Sequence, residues 1–302
     1  MKKLRTLAVA TATGILMTIV GCSTWPPYFS GIYVYGVYAA GSTVYVATNV
    51  GLSISTSGGA SWSTYLNGNA VYGVYAVGST VYAATNAGLS VSTNGGASWT
   101  TYTMAQGLGG NTVYGVYAVR STIYAVTGGG LSISTNSGAS WKSYASAQGL
   151  SGTTVHSVFA VDSRIYVATN GGVSVSIDGG TTWKTYLSGN AVYGVYAVGS
   201  KIYAATGVGL SISTNGGASW TSYLSGIYVS GVYAVGSRIY AATGMGLSIS
   251  TDDGVGWKTY TTAQGLASDY LYGVYAVGST IYAASNGGLS VSTDGGVTWT
   301  SS

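Results

Sequence analysis

The stretch "STNGGASW" occupies Ser92–Trp99 and returns unchanged at Ser213–Trp220. Five near copies accompany it: "STSGGASW" (Ser55–Trp62), "STNSGASW" (Ser134–Trp141), "SIDGGTTW" (Ser176–Trp183), "STDDGVGW" (Ser250–Trp257) and "STDGGVTW" (Ser292–Trp299). Internal repetition of this kind decides a fold before any single residue does. The seven tryptophans, Trp62, Trp99, Trp141, Trp183, Trp220, Trp257 and Trp299, are spaced by 37, 42, 42, 37, 37 and 42 residues. One unit, Asn69–Tyr102, reads "NAVYGVYAVGSTVYAATNAGLSVSTNGGASWTTY". It divides into four short runs, "VYGVYAV", "TVYAAT", "LSVS" and "SWTTY", with Gly, Ser and Asn between them. The runs are rich in Val, Tyr, Ile and Thr, which suit a pleated surface. In "LSVS", Leu89 and Val91 alternate with Ser90 and Ser92, a period of two. Four strands per unit at this period predict an all-β, seven-bladed β-propeller with four antiparallel strands per blade. The expected total is 28 strands, the first near Tyr35, with no helix after the first twenty residues.

The repeated turn has its own chemistry. At its third position stand Ser57, Asn94, Asn136, Asp178, Asn215, Asp252 and Asp294, whose side chains can accept backbone N–H groups within the turn. Three residues before each Trp is a glycine in every copy, from Gly59 to Gly296, which predicts φ > 0 there. Each Trp starts the fourth strand and can fill the gap between neighbouring sheets.

This S-x-N/D-x-G-x-x-W turn resembles the Asp-box (BNR) repeat of sialidases, sortilin-type receptors and bacterial surface propellers, and the likeness runs over nearly the whole chain after its first segment. The resemblance implies that the turn is a folding element. Asn and Ser at four of the seven carboxylate positions would be poor calcium ligands or acids. No metal, cofactor or catalytic group is therefore expected at these turns.

Only 5% of the 302 residues are charged, against roughly 25% in ordinary soluble domains. The formal charge of +4 is an N-terminal effect. Lys2, Lys3 and Arg5 precede the apolar run Leu7–Val20, the pattern of a secretion signal. The remainder carries seven basic residues against six aspartates, which disfavours a nucleic-acid partner. The single cysteine, Cys22, follows in "IVGC", which resembles the bacterial lipobox. That resemblance implies a signal peptide at 1–21, a lipidated Cys22, a short tether at 22–32 and a propeller at 33–302. Ser23 after the cysteine resembles a signal for onward transport to the outer membrane. The expected molecule is an exported, membrane-anchored monomer, on the cell surface or facing the periplasm, and one cysteine allows no internal disulfide.

Where chemistry could reside follows from the up-and-down path of a blade. The turns between strands one and two, and three and four, share one face; the remaining loops share the other. Propeller enzymes resembling this family work on the second face, where Asp269 is almost the only charge. A glycosidase generally needs a carboxylate pair, and the chain has no glutamate and one histidine, so no catalytic residue is assigned and an enzyme is disfavoured. That face offers Tyr, Asn, Ser and Gly instead, suited to a neutral glycan or a peptide. Tyr228 and Tyr270 are its candidate ligand residues, whereas first-strand tyrosines of the Tyr75 kind suit packing. His156 joins the candidates because "VHSVF" (Val155–Phe159) stands where other units read "VYGVY".

The basic residues Arg120, Arg164, Lys201, Arg238, Lys142, Lys184 and Lys258 all map to the face of the repeated turns. With Cys22 close in sequence to Trp25, they could hold that face toward an anionic membrane. "WPPYFSGIYVYGVY" (Trp25–Tyr38) also aligns with "WTSYLSGIYVSGVY" (Trp220–Tyr233). This places Trp25–Tyr28 at the outer edge of blade seven, beside Trp299–Ser302, or else makes it a tether. The functions in view are a lipid-anchored binding scaffold, an assembly factor for a membrane protein complex of the kind formed by lipoprotein propellers with this repeat, and a disfavoured glycoside hydrolase.

Overall fold

The structure is a computed structural model that describes residues 28–302. Seven four-stranded antiparallel sheets follow one another in chain order, 28 strands among the described residues. In blade one these are β1 (Val34–Ala40), β2 (Thr43–Thr48), β3 (Gly51–Ser55) and β4 (Ser63–Tyr65). The innermost first strand of each blade contacts its counterparts on both sides, and the first strand of blade seven (Leu271–Val277) meets β1, so the ring is closed.

The core lies between the blades. Seven hydrophobic clusters each join one blade to the next; Tyr124, Val126 and Leu131 of blade three, for example, pack with Val155, Ile165 and Val167 of blade four. Trp183 packs against this same cluster. Each repeated-turn Trp thus fills a seam between sheets, as its place at the head of the fourth strand predicts. The turn glycines have the expected backbone, with φ between 92° at Gly180 and 103° at Gly96.

Helix is not wholly absent. One-turn 3-10 helices occur at Met104–Gln106, Ser146–Gln148 and Thr262–Gln264, in the three long loops between blades. The cause is local: the Gln side chain accepts the backbone N–H three residues earlier, at 2.9 Å from Gln106 Oε1 to Thr103 N. This is one half of a capping box.

The long loops impose a rule on the blades they precede. Each folds over the turn between strands two and three of the next blade. There a Cβ on Gly129, Gly171 or Gly287 would overlap the carbonyl oxygen of Gly109, Ser151 or Ala267. The blades preceded by short loops carry Val50, Ala87, Val208 and Met245 at the same position, and Val208 and Met245 are about two-thirds exposed.

At the closing seam, Phe29 is fully buried between blades seven and one. A Cβ on Gly288 would meet the Ser302 and Phe29 carbonyl oxygens, just as one on Gly209 would meet those of Tyr223 and Leu224, consecutive residues in the chain. Phe29 therefore stands where Leu224 stands elsewhere. Tyr28 packs on Trp62 with ring centroids 6.1 Å apart and bonds Thr64 Oγ1 at 3.0 Å. It supplies the ring that Ser302 lacks in the position held by Tyr in the other six blades. Residues 28–32, expected within the tether, are in part packed into the ring, and Tyr28 reaches across the closing seam to blade one. Cys22 and Trp25–Pro27 lie outside the described residues.

Candidate functional site

Each first strand carries a β-bulge at the same place, between Val34 and Gly36 in blade one and at the equivalent residues of the other six. A bulge inserts an unpaired residue and re-aims its side chain. The bulged residues are Tyr35, Tyr72, Tyr114, His156, Tyr193, Ser230 and Tyr272. They gather at the mouth of the central channel, on the face opposite the repeated turns.

Ring contacts run round this mouth in one arc. From Tyr114 it passes to Tyr72 (5.6 Å between centroids), Tyr35 (5.4 Å) and Tyr272 (5.6 Å). It continues through Tyr270 (5.6 Å), Tyr228 (6.2 Å), Tyr193 (4.9 Å) and His156 (5.1 Å). Ser230 interrupts the bulged series in blade six, its Oγ 2.7 Å from Leu271 O and 3.0 Å from Ala242 O. Tyr228 and Tyr270 bridge the place it leaves open. The three candidates read from sequence, Tyr228, Tyr270 and His156, thus belong to one collar. Burial lowers the His156 pKa, and burial together with Tyr270 pushes the Tyr228 phenol up to about 12.

Below the collar the channel holds a cavity of about 350 Å³, walled by Gly36, Val37 and their equivalents. Blade four differs here as well, with Ser157 at the glycine level. Three residues further along each strand lies a second, closed aromatic ring: Tyr38, Tyr75, Tyr117, Phe159, Tyr196, Tyr233 and Tyr275, with neighbouring centroids 4.6–5.1 Å apart. Its six phenols follow one another in ring contact in the order Tyr117, Tyr75, Tyr38, Tyr275, Tyr233, Tyr196, and Phe159 interrupts the series of hydroxyls. Burial raises these phenols well above their ordinary range. The Tyr75 kind of residue therefore packs, as its sequence context predicts, and in doing so it narrows the channel floor.

Asp269 sits in a long loop, where its Oδ1 accepts the Thr262 N–H at 2.7 Å. Asn111 accepts the Met104 N–H at 2.9 Å in the same way. An amide does the same work, so this carboxylate is a loop cap.

The third-position side chains of the repeated turns are engaged within the turns themselves. Asp178 Oδ1 accepts from Ser176 Oγ at 2.7 Å and Thr182 N at 2.9 Å, and Oδ2 accepts from Thr182 Oγ1 at 2.6 Å. These bonds, the Thr182 hydroxyl first, hold its pKa at about 2. Asn94 makes the same contacts with Ser92 Oγ (2.9 Å) and Ser98 N (2.9 Å), while its amide nitrogen donates to Ser98 Oγ (2.9 Å). No group of three or more His, Cys, Asp or Glu that could hold a metal occurs among the described residues.

The basic residues fall into two sets. Lys142, Lys184 and Lys258 open fourth strands, with each ammonium 4.7–5.0 Å from the centre of the tyrosine ring two residues on. Arg164, Lys201 and Arg238 open second strands beside the repeated turns, and Arg120 precedes one with φ 55°. Lys201 Nζ is paired with Asp253 Oδ1 of the next blade at 2.7 Å. No helix among the described residues is long and apolar enough to cross a membrane.

The molecule is thus a seven-bladed β-propeller with a tyrosine-collared channel. Part of the chain, residues 110–231, matches the family described as the DUF6242 beta propeller domain. No curated protein matches it. Among solved structures, the extracellular domain of the one component system BT4673 from B. thetaiotaomicron superposes with a TM-score of 0.74 at 16% identity, over 89% of this chain and 39% of that one. This chain thus spans well under half of that longer protein. YCF48 from Cyanidioschyzon merolae gives 0.70 at 15% identity, over 87% and 95% of the two chains. YCF48 has also been solved bound to a D1 peptide, with a TM-score of 0.68 and 14% identity to this chain, over 86% and 92% of the two chains. The Niastella koreensis GH74 enzyme gives 0.64 at 23% identity, over 88% and 43%. At these identities the likeness is one of fold.

Proposed function

We propose that this protein is an exported, lipid-anchored, non-catalytic scaffold that binds a protein segment or a neutral glycan on its tyrosine-collared face. The observation that carries the reading is the collar itself: aromatic rings and uncharged polar groups around a cavity mouth, with the nearby Asp269 engaged as a loop cap. Tyrosine offers an apolar face and a polar tip, which favours recognition of neutral surfaces. A carboxylate pair of the kind that cleaves glycosides would have to be assembled from aspartates that close turns. The repeated turns act as Asp-box folding elements on this reading, and Cys22 carries the lipid.

An assembly factor for a membrane protein complex is the second reading, favoured by the peptide-bound structure of YCF48. On either reading the basic residues beside the repeated turns face the membrane and the collar faces away. Capture of partners from membranes, run beside a glycan array, tests the proposal. Protein partners alone favour the assembly role and glycans the surface scaffold. In both arms Tyr228→Ala with Tyr270→Ala should abolish binding while a cooperative melting transition shows the fold retained. Binding unchanged in that variant would refute the assignment of the face. For orientation, replacing Arg164, Lys201 and Arg238 by Thr in a non-lipidated form should weaken binding to anionic vesicles, and unchanged binding would remove the electrostatic argument.

A further inference from the structure

The channel departs from sevenfold symmetry at two places: Ser230 of blade six, whose hydroxyl is held by Leu271 O and Ala242 O, and one pole where three departures share a single strand. The first strand of blade four (Val155–Val161) carries His156, Ser157 and Phe159 where the other blades have mostly Tyr, Gly and Tyr. We propose that this cup holds one terminal ring of a neutral saccharide, with its hydroxyls read at the blade-four pole. This rests on the scaffold reading and names the ligand class for its collar.

Shape comes first. At about 350 Å³ the cavity is at the lower limit for small-molecule sites, room for one ring and little more. The cup opens on the collar face. At the other end the second aromatic ring, its neighbouring centroids 4.6–5.1 Å apart, narrows the channel floor. A polymer can therefore enter only by its end.

Charge comes next. No Asp, Glu, Lys or Arg lines the cavity, and burial keeps His156 toward its neutral form. A buried ionic ligand would find no partner and would bear its full desolvation cost. A purely apolar ligand would fit poorly too, because phenols, imidazole and the Ser157 hydroxyl surround the space. A pyranose has an apolar face of C–H groups and a polar rim, matching tyrosine faces and tips.

The pole supplies direction. His156 offers one donor and one acceptor in its neutral form, and Ser157 adds a hydroxyl at a level where the other blades have only glycine. Two residues further along, Phe159 parts the hydroxyl circle, so Tyr117 and Tyr196 each have a ring neighbour with no hydroxyl on that side. A ligand hydroxyl, or a water it carries, can meet the phenols that flank this gap.

The test uses the full chain and saturation-transfer NMR with methyl glucoside and methyl galactoside, set against glucuronate and sialic acid. Neutral glycosides should bind and the acids should not. His156→Tyr combined with Ser157→Gly installs the residues the repeat uses elsewhere, so the fold should be kept and a melting curve verifies it. That variant should bind neutral glycosides about tenfold more weakly, the loss expected for one or two hydrogen bonds. Binding of the acids as strongly as the neutral glycosides, an unaltered variant, or no saccharide signal at all would each overturn the proposal. Protein capture by the collar face together with no saccharide signal would remove this ligand class and leave the scaffold reading standing.

Discussion

Replacing Gly171 by Val tests the pairing of loop length with turn residue. Val is the residue that blade five carries at this position, Val208, where it is exposed. Gly171 has no left-handed φ, so backbone strain does not enter and the cost is steric. A Cβ there would overlap the Ser151 carbonyl oxygen and lie 2.8 Å from its carbon. Ser151 cannot retreat freely. Its N–H donates to Ser174 Oγ at 2.8 Å, and its hydroxyl is 2.9 Å from Thr169 Oγ1. Overpacking of this kind costs about 1–3 kcal/mol, and loosening one or two hydrogen bonds adds about 1 kcal/mol each. The expected destabilisation is about 2–5 kcal/mol, or roughly 4–10 °C in melting temperature for a domain of this size.

The control lies in the repeat itself. Exchanging residues 145–154 for the short "LSGNA" of blade five removes the obstructing carbonyl. In that background Gly171→Val should cost less than about 1 kcal/mol, a coupling that a double-mutant cycle by urea denaturation would resolve. Equal costs in the two backgrounds would refute the argument, as would a harmless Gly171→Val in the native one.

Three further outcomes are expected. Trp183→Ala should cost about 3 kcal/mol by emptying a seam between blades, whereas Asn94→Ala should cost about 1 kcal/mol; equal shifts in denaturation midpoint would contradict the structural role of the turn. Burial sets the folded pKa of His156 below its unfolded value of about 6.5, so its contribution to stability is full above that pH and is lost as the pH falls through the folded value; melting curves of His156→Tyr should lack this decline. Tyr28→Ala should lower stability by about 1–2 kcal/mol, the value of an aromatic pair plus part of its buried area, and an unchanged melting temperature would mean that Trp62 needs no such cover.

Much of this fold is legible in the chain because each blade repeats its local signals. Seven repeated Trp residues set seven blades, and a glycine in every copy signals the left-handed turn residue. The collar is harder to read. In "VYGVY" both tyrosines suit a strand, and strict alternation would not separate them; the bulge between Val34 and Gly36 makes the first a channel-mouth residue and the second a packing residue. A glycine beside the first tyrosine was the available signal, since glycine in a strand often marks a bulge. The 3-10 turns were likewise announced by "TMAQG" and "TTAQG", a Thr with Gln three residues later and then Gly. The glycine rule was present as a correlation: each 42-residue spacing contains Gly129, Gly171 or Gly287 at this turn, and each 37-residue spacing a larger residue, Ala87, Val208 or Met245. The seam was half legible. Alignment of Trp25–Tyr38 with Trp220–Tyr233 gives Phe29 its place, but which blade Tyr28 would touch depends on packing at Trp62.

Near-identical blades argue against a tuned site, because a ring of equal groups has no direction to offer a ligand. Yet the exceptions on the channel-lining first strands are not scattered. His156, Ser157 and Phe159 fall on one strand, and Ser230 sits two blades away behind Tyr228 and Tyr270. Ser230 cannot extend the collar, since its hydroxyl is held against Leu271 O and Ala242 O. The larger rings of the neighbouring loops cover that side, and the collar's arc begins and ends at the junction of blades three and four. Drift with no consequence would place substitutions on all levels of the blades alike. Here the second strands keep their buried "IY" or "VY" in every copy, and the third strands their glycine and serines. A sevenfold frame supplies a rigid cup, and a few changed side chains at its mouth and wall are enough to give it one orientation.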